Sequence, residues 1–139
     1  MLPSRSLGTL VGAGGLAVAL GLCLDLARLY MAGNELENRS RAASRAAAER
    51  LDGSAAGLEA AIRAARAQLA SWTASRGSPT SVTVEFAPSP GGIYLERPRL
   101  AAKYRFTRVR AQEQVPVYFL SAFGIGPSRA VAASAVSGQ

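Results

Sequence analysis

One stretch near the amino terminus reads VGAGGLAVALGLCLDLARLY, over residues 11–30. Most of it lies in an apolar run, residues 7–24, which contains no charged side chain and only Thr9 as a polar one. A helix of this length is about 27 Å long, which nearly matches the ~30 Å hydrocarbon core of a bilayer. The run therefore predicts a transmembrane helix.

The glycines of the stretch also fit a different motif, the G-x-G-x-x-G/A loop of dinucleotide-binding enzymes, with Gly12, Gly14 and Ala17 at its fixed positions. That loop requires an amphipathic helix directly after it and a further βαβ unit. Residues 17–24 have no polar face, and no second unit of this kind follows them. We therefore favour the membrane helix and predict no cofactor.

Residues that flank the apolar run have the chemistry expected at a membrane surface. Asp25 and Arg28 follow it one helical turn apart, a spacing at which the two charges are expected to pair. Tyr30 is typical of the aromatic residues found at membrane interfaces. The run also carries small residues that permit close approach of a second helix. These are Gly8, Gly12 and Gly15.

A processing alternative stays open beside the anchor. The residues Ala17, Val18 and Ala19 resemble the A-x-A end of a cleaved signal peptide. Cleavage after Ala19 would release an exported soluble periplasmic binding protein, with the apolar residues 20–24 on its new terminus.

The sequence beyond the run predicts two helices. Residues 26–51 contain no proline and many alanines, with a stripe of apolar or small residues at three- and four-residue steps that is suited to close helix packing. Ser54 is expected to cap a second, amphipathic helix over residues 55–74. Its predicted apolar face is Leu58, Ile62, Ala65, Leu69 and Trp72.

The last part of the sequence predicts a small antiparallel sheet. Alternating apolar residues indicate strands at 82–86, 93–95 and from 102 onward, with a bulge or a bend before Val109, and a last strand at 129–136. Residues 115–123 fit a short helix or an edge strand. The expected core is Val84, Phe86, Tyr104, Phe106, Val109, Phe119 and Trp72. The fold class is therefore α+β.

We predict four segments along the chain. Residues 1–6 form a cytoplasmic amino terminus, residues 7–24 the transmembrane helix, residues 25–52 a helical stalk, and residues 53–139 a small α+β extracytoplasmic domain.

The charge balance is basic, with 16 Lys and Arg against 9 Asp and Glu and a net charge of +7. Such an excess favours anionic surfaces, but there is no long basic block, so we predict no nucleic-acid partner. Basic residues in and near the predicted strands form a candidate partner surface, with an ordinary solvated strand face as the alternative reading. They are Arg99, Lys103, Arg105, Arg108 and Arg110.

Nothing in the sequence indicates an active site. The chain has no histidine, which removes the usual general base and the commonest metal ligand. Its only cysteine, Cys23, lies in the apolar run, where we expect a buried and inert thiol. Glu35 and Glu37 are two residues apart on a predicted helix and so point in different directions. We predict no catalytic residue, metal site or small-molecule substrate.

Two segments resemble the TadE/TadG-like family, the assembly proteins of bacterial tight-adherence (Tad/Flp) pili. The first comprises LCLDLARLY at residues 22–30, NELEN at 34–38 and an alanine-rich helix that ends with LDG at 51–53. The second comprises VRA at 109–111, VPVYF at 115–119, FGI at 123–125 and VAASAV at 131–136.

This resemblance implies a single-pass protein of the bacterial inner membrane with its carboxyl-terminal side in the periplasm. It implies a minor pilin-like or accessory role, with other pilus subunits or inner-membrane assembly proteins as partners, beside the lipid bilayer. One position departs from the pilin pattern. Pilins of this class carry a glutamate five residues after the processing glycine. Counted from Gly8, that position is Ala13, which argues against cleavage by a prepilin peptidase.

Overall fold

The computed structural model describes the backbone of residues 4–76 and 81–139, and the side chains of residues 8–71 and 81–139. In chain order the elements are α1 (Ser4–Ala48), α2 (Ala55–Arg76), β1 (Ser81–Ala87), a first 3₁₀ helix (Ala101–Lys103), β2 (Phe106–Pro116), a second 3₁₀ helix (Leu120–Phe123) and β3 (Ser128–Gly138). Two helices and one antiparallel three-stranded sheet confirm the predicted α+β class.

Helix α1 continues without interruption from the apolar run into the alanine-rich segment, as predicted. No proline breaks it, and alanine is the residue with the highest helix propensity. Two ion pairs at i,i+4 spacing, Glu35–Arg39 and Glu37–Arg41, add a few tenths of a kcal/mol each to such a helix. The helix ends at Ala48, three residues before the predicted end.

The start of α2 is fixed by a cap that the sequence predicts. The Ser54 hydroxyl oxygen accepts a hydrogen bond from the Gly57 backbone N–H at 2.9 Å. The Asp52 carboxylate in turn accepts hydrogen bonds from the Ser54 hydroxyl at 2.6 Å and from the Ser54 backbone N–H at 2.8 Å. These two bonds hold the pKa of Asp52 below its usual value. Gly53, with φ of 82°, supplies the left-handed turn between the helices.

The described chain divides into two compact units. The first contains α1 up to Ala32 together with Val115–Arg129, and the second contains Gly33–Gln114 together with Ala130–Gln139. A hydrophobic core lies within the second unit, between the later part of α1, α2 and the sheet. It consists of Ala43, Ala47, Leu51, Leu58, Ala61, Ala65, Leu69, Val84, Phe86 and Val109.

Part of the small-residue stripe of α1 is buried within this unit. Ser40, Ala43 and Ala47 are fully buried by the chain itself, and the hydroxyls of Ser44 and Ser137 on β3 lie 2.8 Å apart in a hydrogen bond. The close helix packing predicted for this stripe therefore takes place within the chain over these residues. Small side chains at these positions let α1 pack tightly within its own unit.

The sheet has the order β1–β2–β3, so β3 lies at one edge. β1 and β2 pair in continuous register from Ser81↔Gln112 to Ala87↔Phe106. Of the two alternatives predicted for the shift of apolar phase before Val109, a bulge is not formed, because the register is continuous and Thr107, Val109 and Ala111 are all buried. The shift lies where the chain passes from the first 3₁₀ helix into β2. Phe106 is on the opposite face of the strand, where its ring leaves no room for a side chain at Gly138.

Two predicted strands differ from the structure. Residues 93–95 do not form a strand of their own, because only Leu95 pairs, in an isolated bridge to Phe86 with backbone N–H···O distances of 2.8 and 2.9 Å. The strand predicted from residue 102 begins only at Phe106, after the first 3₁₀ helix. Local alternation cannot distinguish a 3₁₀ turn followed by a strand from a longer strand.

Of the seven predicted core residues, three are buried in the core and a fourth packs against it, whereas Phe106 is wrong because it lies on the opposite face of β2. Val84, Phe86 and Val109 are buried, and Tyr104 packs against them while remaining partly exposed. Phe119 is wrong, because it belongs to the first unit and keeps an exposed ring. The side chain of Trp72 lies outside the described residues.

Candidate functional site

The early part of α1 presents apolar side chains on all its faces. In the most apolar window of 18 residues, only 11% of residues are buried within the chain. Among the described residues, α1 is the one helix that is long and apolar enough to cross a membrane. Over residues 8–26 its exposed large apolar side chains are Leu10, Val11, Leu16, Val18, Leu20, Leu24 and Leu26. An exposed apolar surface of this extent indicates contact with lipid or with another protein.

The predicted helix-packing residues lie on this exposed segment. Beyond the adjacent backbone of α1 itself, a Cβ atom added at Gly8, Gly12 or Gly15 would meet no described atom within 4 Å. These glycines therefore leave an open, shallow face on α1 that another helix can approach. Tyr30, the predicted interfacial aromatic, is also exposed. Cys23 is exposed as well, so burial of this thiol would have to come from surroundings other than the chain itself.

Asp25 binds the backbone of a segment far along the chain. Its side chain is only 1% exposed. Its Oδ2 atom accepts hydrogen bonds from the N–H groups of Tyr118 at 3.1 Å, Phe119 at 2.7 Å and Leu120 at 2.8 Å. Oδ1 accepts a further, longer bond from Tyr118 at 3.2 Å. These N–H groups open the second 3₁₀ helix and have no partner inside it, so the carboxylate acts as its cap.

This arrangement changes the predicted role of Arg28. The expected direct ion pair with Asp25 is not formed in the part of the chain that the structure describes, because the carboxylate oxygens face the N–H groups of residues 118–120. The Arg28 guanidinium lies instead over the ring of Tyr118, 4.8 Å from its centroid. A cation at this distance from an aromatic face is attracted to it. Arg28 and Asp25 therefore both hold the same distant segment.

A third contact in the first unit requires a glycine. The ring of Phe119 lies directly over Gly21, and a Cβ atom added at position 21 would overlap that ring. Gly21 is buried, in contrast to the exposed Gly8, Gly12 and Gly15. A glycine at position 21 is thus what allows the aromatic ring to approach the helix so closely.

The segment that docks on α1 is a closed loop between β2 and β3, residues 117–127. The Val117 N–H donates to the Pro127 carbonyl at 3.0 Å and closes the loop. Gly124 and Gly126, with φ of 77° and 89°, make its return turn in a conformation that other residues rarely adopt. Large apolar side chains remain exposed on the loop. They are Tyr118, Phe119, Phe123 and Ile125.

Two of the five residues predicted as a basic surface, Arg108 and Arg110, lie against the carboxylate of Glu85. In the second unit, Arg108 Nε donates to Glu85 Oε2 at 2.7 Å, and Arg110 Nε lies 3.3 Å from the same oxygen. The Arg108 guanidinium also lies 4.0 Å from the centroid of the Tyr94 ring. The remaining predicted residues of this surface are exposed. They are Arg99, Lys103 and Arg105.

Within the described residues, no group of three or more His, Cys, Asp or Glu side chains is placed to hold a metal ion. The structure adds one site that the sequence does not predict, the contact of the loop over residues 117–127 with α1. One signal for it was present: Asp25 is the first acidic residue of the chain and directly follows the apolar run. Its partners are 93 or more positions away, beyond the reach of local patterns.

Most of the chain matches one protein family. Residues 31–136 match the Tad_C family, described as "Putative Tad-like Flp pilus-assembly". The matched range covers most of the second unit and the loop over residues 117–127. The match confirms the resemblance to pilus-assembly proteins that the sequence indicates. No curated protein and no solved structure matches the chain.

Proposed function

Because the chain belongs to the Tad-like Flp pilus-assembly family, we propose that it is a membrane-anchored structural component of pilus assembly and not an enzyme. Residues 7–24 of α1 cross the inner membrane once, and the chain after them lies on the periplasmic side. The protein acts as a minor pilin-like or accessory subunit through helix packing and protein–protein contacts.

The exposed apolar surface of α1 is the observation that carries this proposal. Transfer of one exposed leucine from water into an apolar medium is worth roughly 1.5–3 kcal/mol. Four leucines along the run are among the most exposed large side chains of the described chain. They are Leu10, Leu16, Leu20 and Leu24. Lipid around residues 7–24 removes this surface from water, whereas a soluble chain would leave it exposed.

The orientation rests on kinship with pilus components rather than on charge. Arg28, Arg39 and Arg41 follow the run, so the basic residues do not favour a periplasmic carboxyl-terminal side by the positive-inside rule. The rule counts Lys and Arg and not net charge, so the ion pairs of Arg39 and Arg41 with glutamates do not change its outcome. The periplasmic placement therefore rests on the family resemblance alone.

The open glycine face of α1 supports helix packing as the mode of action. In a membrane, helices associate through close van der Waals contact, for which small residues at four-residue spacing are suited. Gly8 and Gly12 have this spacing, and among the described residues no side chain covers them. The partners are other pilus subunits or inner-membrane assembly proteins, together with the lipid bilayer. No nucleic acid or small-molecule substrate is involved.

Alkaline carbonate extraction of membranes tests the anchor. The full-length chain should remain in the membrane pellet, and mass spectrometry should find residues 7–24 intact. A matched control is the double variant Leu16→Arg with Leu20→Arg, which should move to the supernatant because two buried arginines oppose insertion. A wild-type chain that begins at Leu20 and dissolves in the supernatant would overturn the anchor and favour the cleaved, exported binding protein.

Co-purification of crosslinked partners tests the glycine face. Gly12→Leu should reduce the yield of partner subunit several-fold, since a leucine side chain prevents the close approach that the glycine permits. Val11→Leu is the control, because it changes the size of an exposed neighbour and leaves the glycines in place. Equal yields from both variants would contradict packing through this face.

A further inference from the structure

We propose that the loop over residues 117–127 is a second membrane-contacting element, which lies in the lipid interface beside the end of the α1 span. This inference rests on the proposed anchoring of residues 7–24 and adds a partner surface to it. The occupant of the exposed apolar side of the loop is the boundary between lipid headgroups and acyl chains.

The depth of the loop follows from its contact with Gly21. That glycine lies three residues before the end of the apolar run, roughly 4.5 Å along the helix axis from Leu24. Phe119 packs directly on it, within the same compact unit. When residues 7–24 are in lipid, the ring of Phe119 is held at the level of the last helical turn of the span. The loop then cannot lie wholly in the aqueous phase.

The composition of the loop suits this depth. It reads VYFLSAFGIGP and contains no charged residue. Tyr118 and Phe123 are each 60% exposed, and Ile125 is also exposed. Aromatic side chains with one polar tip, such as tyrosine, are enriched at membrane interfaces, and phenylalanine and isoleucine gain from burial in the acyl region. Exposed apolar surface of this kind is unusual on a loop that faces water.

The backbone of the loop is also prepared for an apolar environment. Lipid offers no hydrogen-bond partner to backbone N–H groups, and an unsatisfied group there is costly. The N–H groups of residues 118–120, which the second 3₁₀ helix leaves without a partner, are all satisfied by Asp25. The Val117 N–H is satisfied by the Pro127 carbonyl. The carboxylate thus removes the main polar obstacle to placing this loop next to lipid.

Lipid is favoured over a protein partner because of where the loop is attached. It packs on the segment of α1 that the proposal places in the bilayer, where lipid is the surrounding medium. Arg28, which lies over Tyr118, adds a cation on the headgroup side of Gly21 that is suited to anionic phosphate. A protein that covers the loop is therefore treated as an outcome that the experiment must exclude.

Tryptophan fluorescence in vesicles tests the inference with the full chain. The chain has one tryptophan, so Trp72→Phe provides a silent background. Three reporters are then introduced one at a time: Phe123→Trp in the loop, Leu16→Trp in the span, and Ile93→Trp, at a position that is 80% exposed in the second unit. Vesicles contain phosphatidylethanolamine and phosphatidylglycerol, with or without a mixture of lipids brominated near the headgroup end and near the middle of the acyl chain.

The expected result is strong quenching of Phe123→Trp by the brominated lipid, with little quenching by aqueous iodide, and the reverse for Ile93→Trp. If Phe123→Trp behaves like Ile93→Trp while Leu16→Trp is quenched by brominated lipid, the loop proposal is overturned and the anchor stands. If Leu16→Trp is also unquenched by the lipid, the anchor itself fails. Shielding of Phe123→Trp from both quenchers would show that protein covers the loop, and would also overturn the proposal. Tyr118→Trp repeats the measurement should Phe123→Trp lose its native circular dichroism.

Discussion

Phe119 covers Gly21 so closely that the helix has no room for a side chain at position 21. The contact joins the end of the apolar run to the loop between β2 and β3 within one compact unit. It makes a glycine inside a long helix a structural requirement, although glycine is among the weakest helix formers. The cost to the helix is offset by the aromatic contact.

Gly21→Ala should displace the loop from α1. An added methyl group in a filled space costs on the order of 1–3 kcal/mol, so the loop is expected to open and become more susceptible to chymotrypsin at Tyr118 and Phe119. Limited proteolysis in vesicles measures this change. Gly8→Ala is the control, since open space surrounds that position. Equal cleavage of both variants would show that Phe119 does not depend on the glycine.

Asp25→Ala should release the second 3₁₀ helix from α1. The substitution leaves the backbone N–H groups of residues 118–120 without an acceptor, so hydrogen exchange of the Phe119 and Leu120 amides should accelerate by about tenfold or more. Asp25→Asn keeps one carbonyl oxygen as an acceptor, so its amide exchange rates should lie between those of the wild type and of Asp25→Ala. Glu59→Gln, at an exposed position on α2, should leave these amides unchanged. Slow exchange in Asp25→Ala would contradict the capping role.

The basic surface is best tested at its unpaired members. Reversal of Lys103 and Arg105 to Glu should weaken capture of an acidic partner, or of anionic vesicles, by about tenfold at low salt, and the difference should shrink as salt is added. Reversal of Arg108 is less informative, because it would place a second carboxylate against Glu85 and disturb the sheet. Pull-down at two salt concentrations measures the effect.

Arg63→Glu is the matched control for this test, because it changes the charge at an exposed position on α2. The thermal unfolding temperature of each variant in detergent verifies that the fold persists. Unchanged capture by the Lys103 and Arg105 variant would identify this set as an ordinary solvated strand face.

Acidic pH should weaken the cap between the helices. The hydrogen bonds from Ser54 lower the folded-state pKa of Asp52 beneath its unfolded value of about 3.9. A lowered pKa contributes stability above the unfolded value, and this contribution is lost as the pH falls through the folded value. Urea unfolding at a series of pH values between 6 and 2 should therefore show the advantage of the wild type over Asp52→Asn declining toward pH 2.

Comparison with Asp52→Asn isolates this carboxylate, because every other acidic group titrates in both proteins. A constant difference between the two curves at all pH values would show that Asp52 does not act through its charge.

The helical part of the fold could be predicted because its signals are local. The absence of proline through residues 26–48, the cap at Ser54 and the apolar spacing of α2 each act within a few residues. The strand at 82–86 follows from simple alternation and is present as β1. The onset of β2 at Phe106 could not be obtained in this way, because a 3₁₀ turn precedes it and alternation continues through that turn.

The candidate site depends on contacts that local patterns do not contain. Asp25 was recognised as a flank of the apolar run, but its three backbone partners are 93 or more positions distant. Phe119 has the size and chemistry of a core residue, and only the tertiary structure shows that its ring lies on Gly21 instead. The small residues near Ala43 likewise gave no indication that their own chain would cover them. In each case the structure depends on which distant residue the side chain contacts. The spacing of apolar residues along the sequence does not determine this.

The position of β3 at the sheet edge has a practical consequence for handling the protein. Its outer row of backbone groups has no strand beside it among residues 81–139, and its side chains are mostly alanine, serine and valine. Such an edge is a template for strand addition when molecules are concentrated. Preparations at high concentration should therefore form oligomers through this edge, and Ala132→Lys, which adds a charge at an exposed position, should keep the sample monodisperse in light scattering.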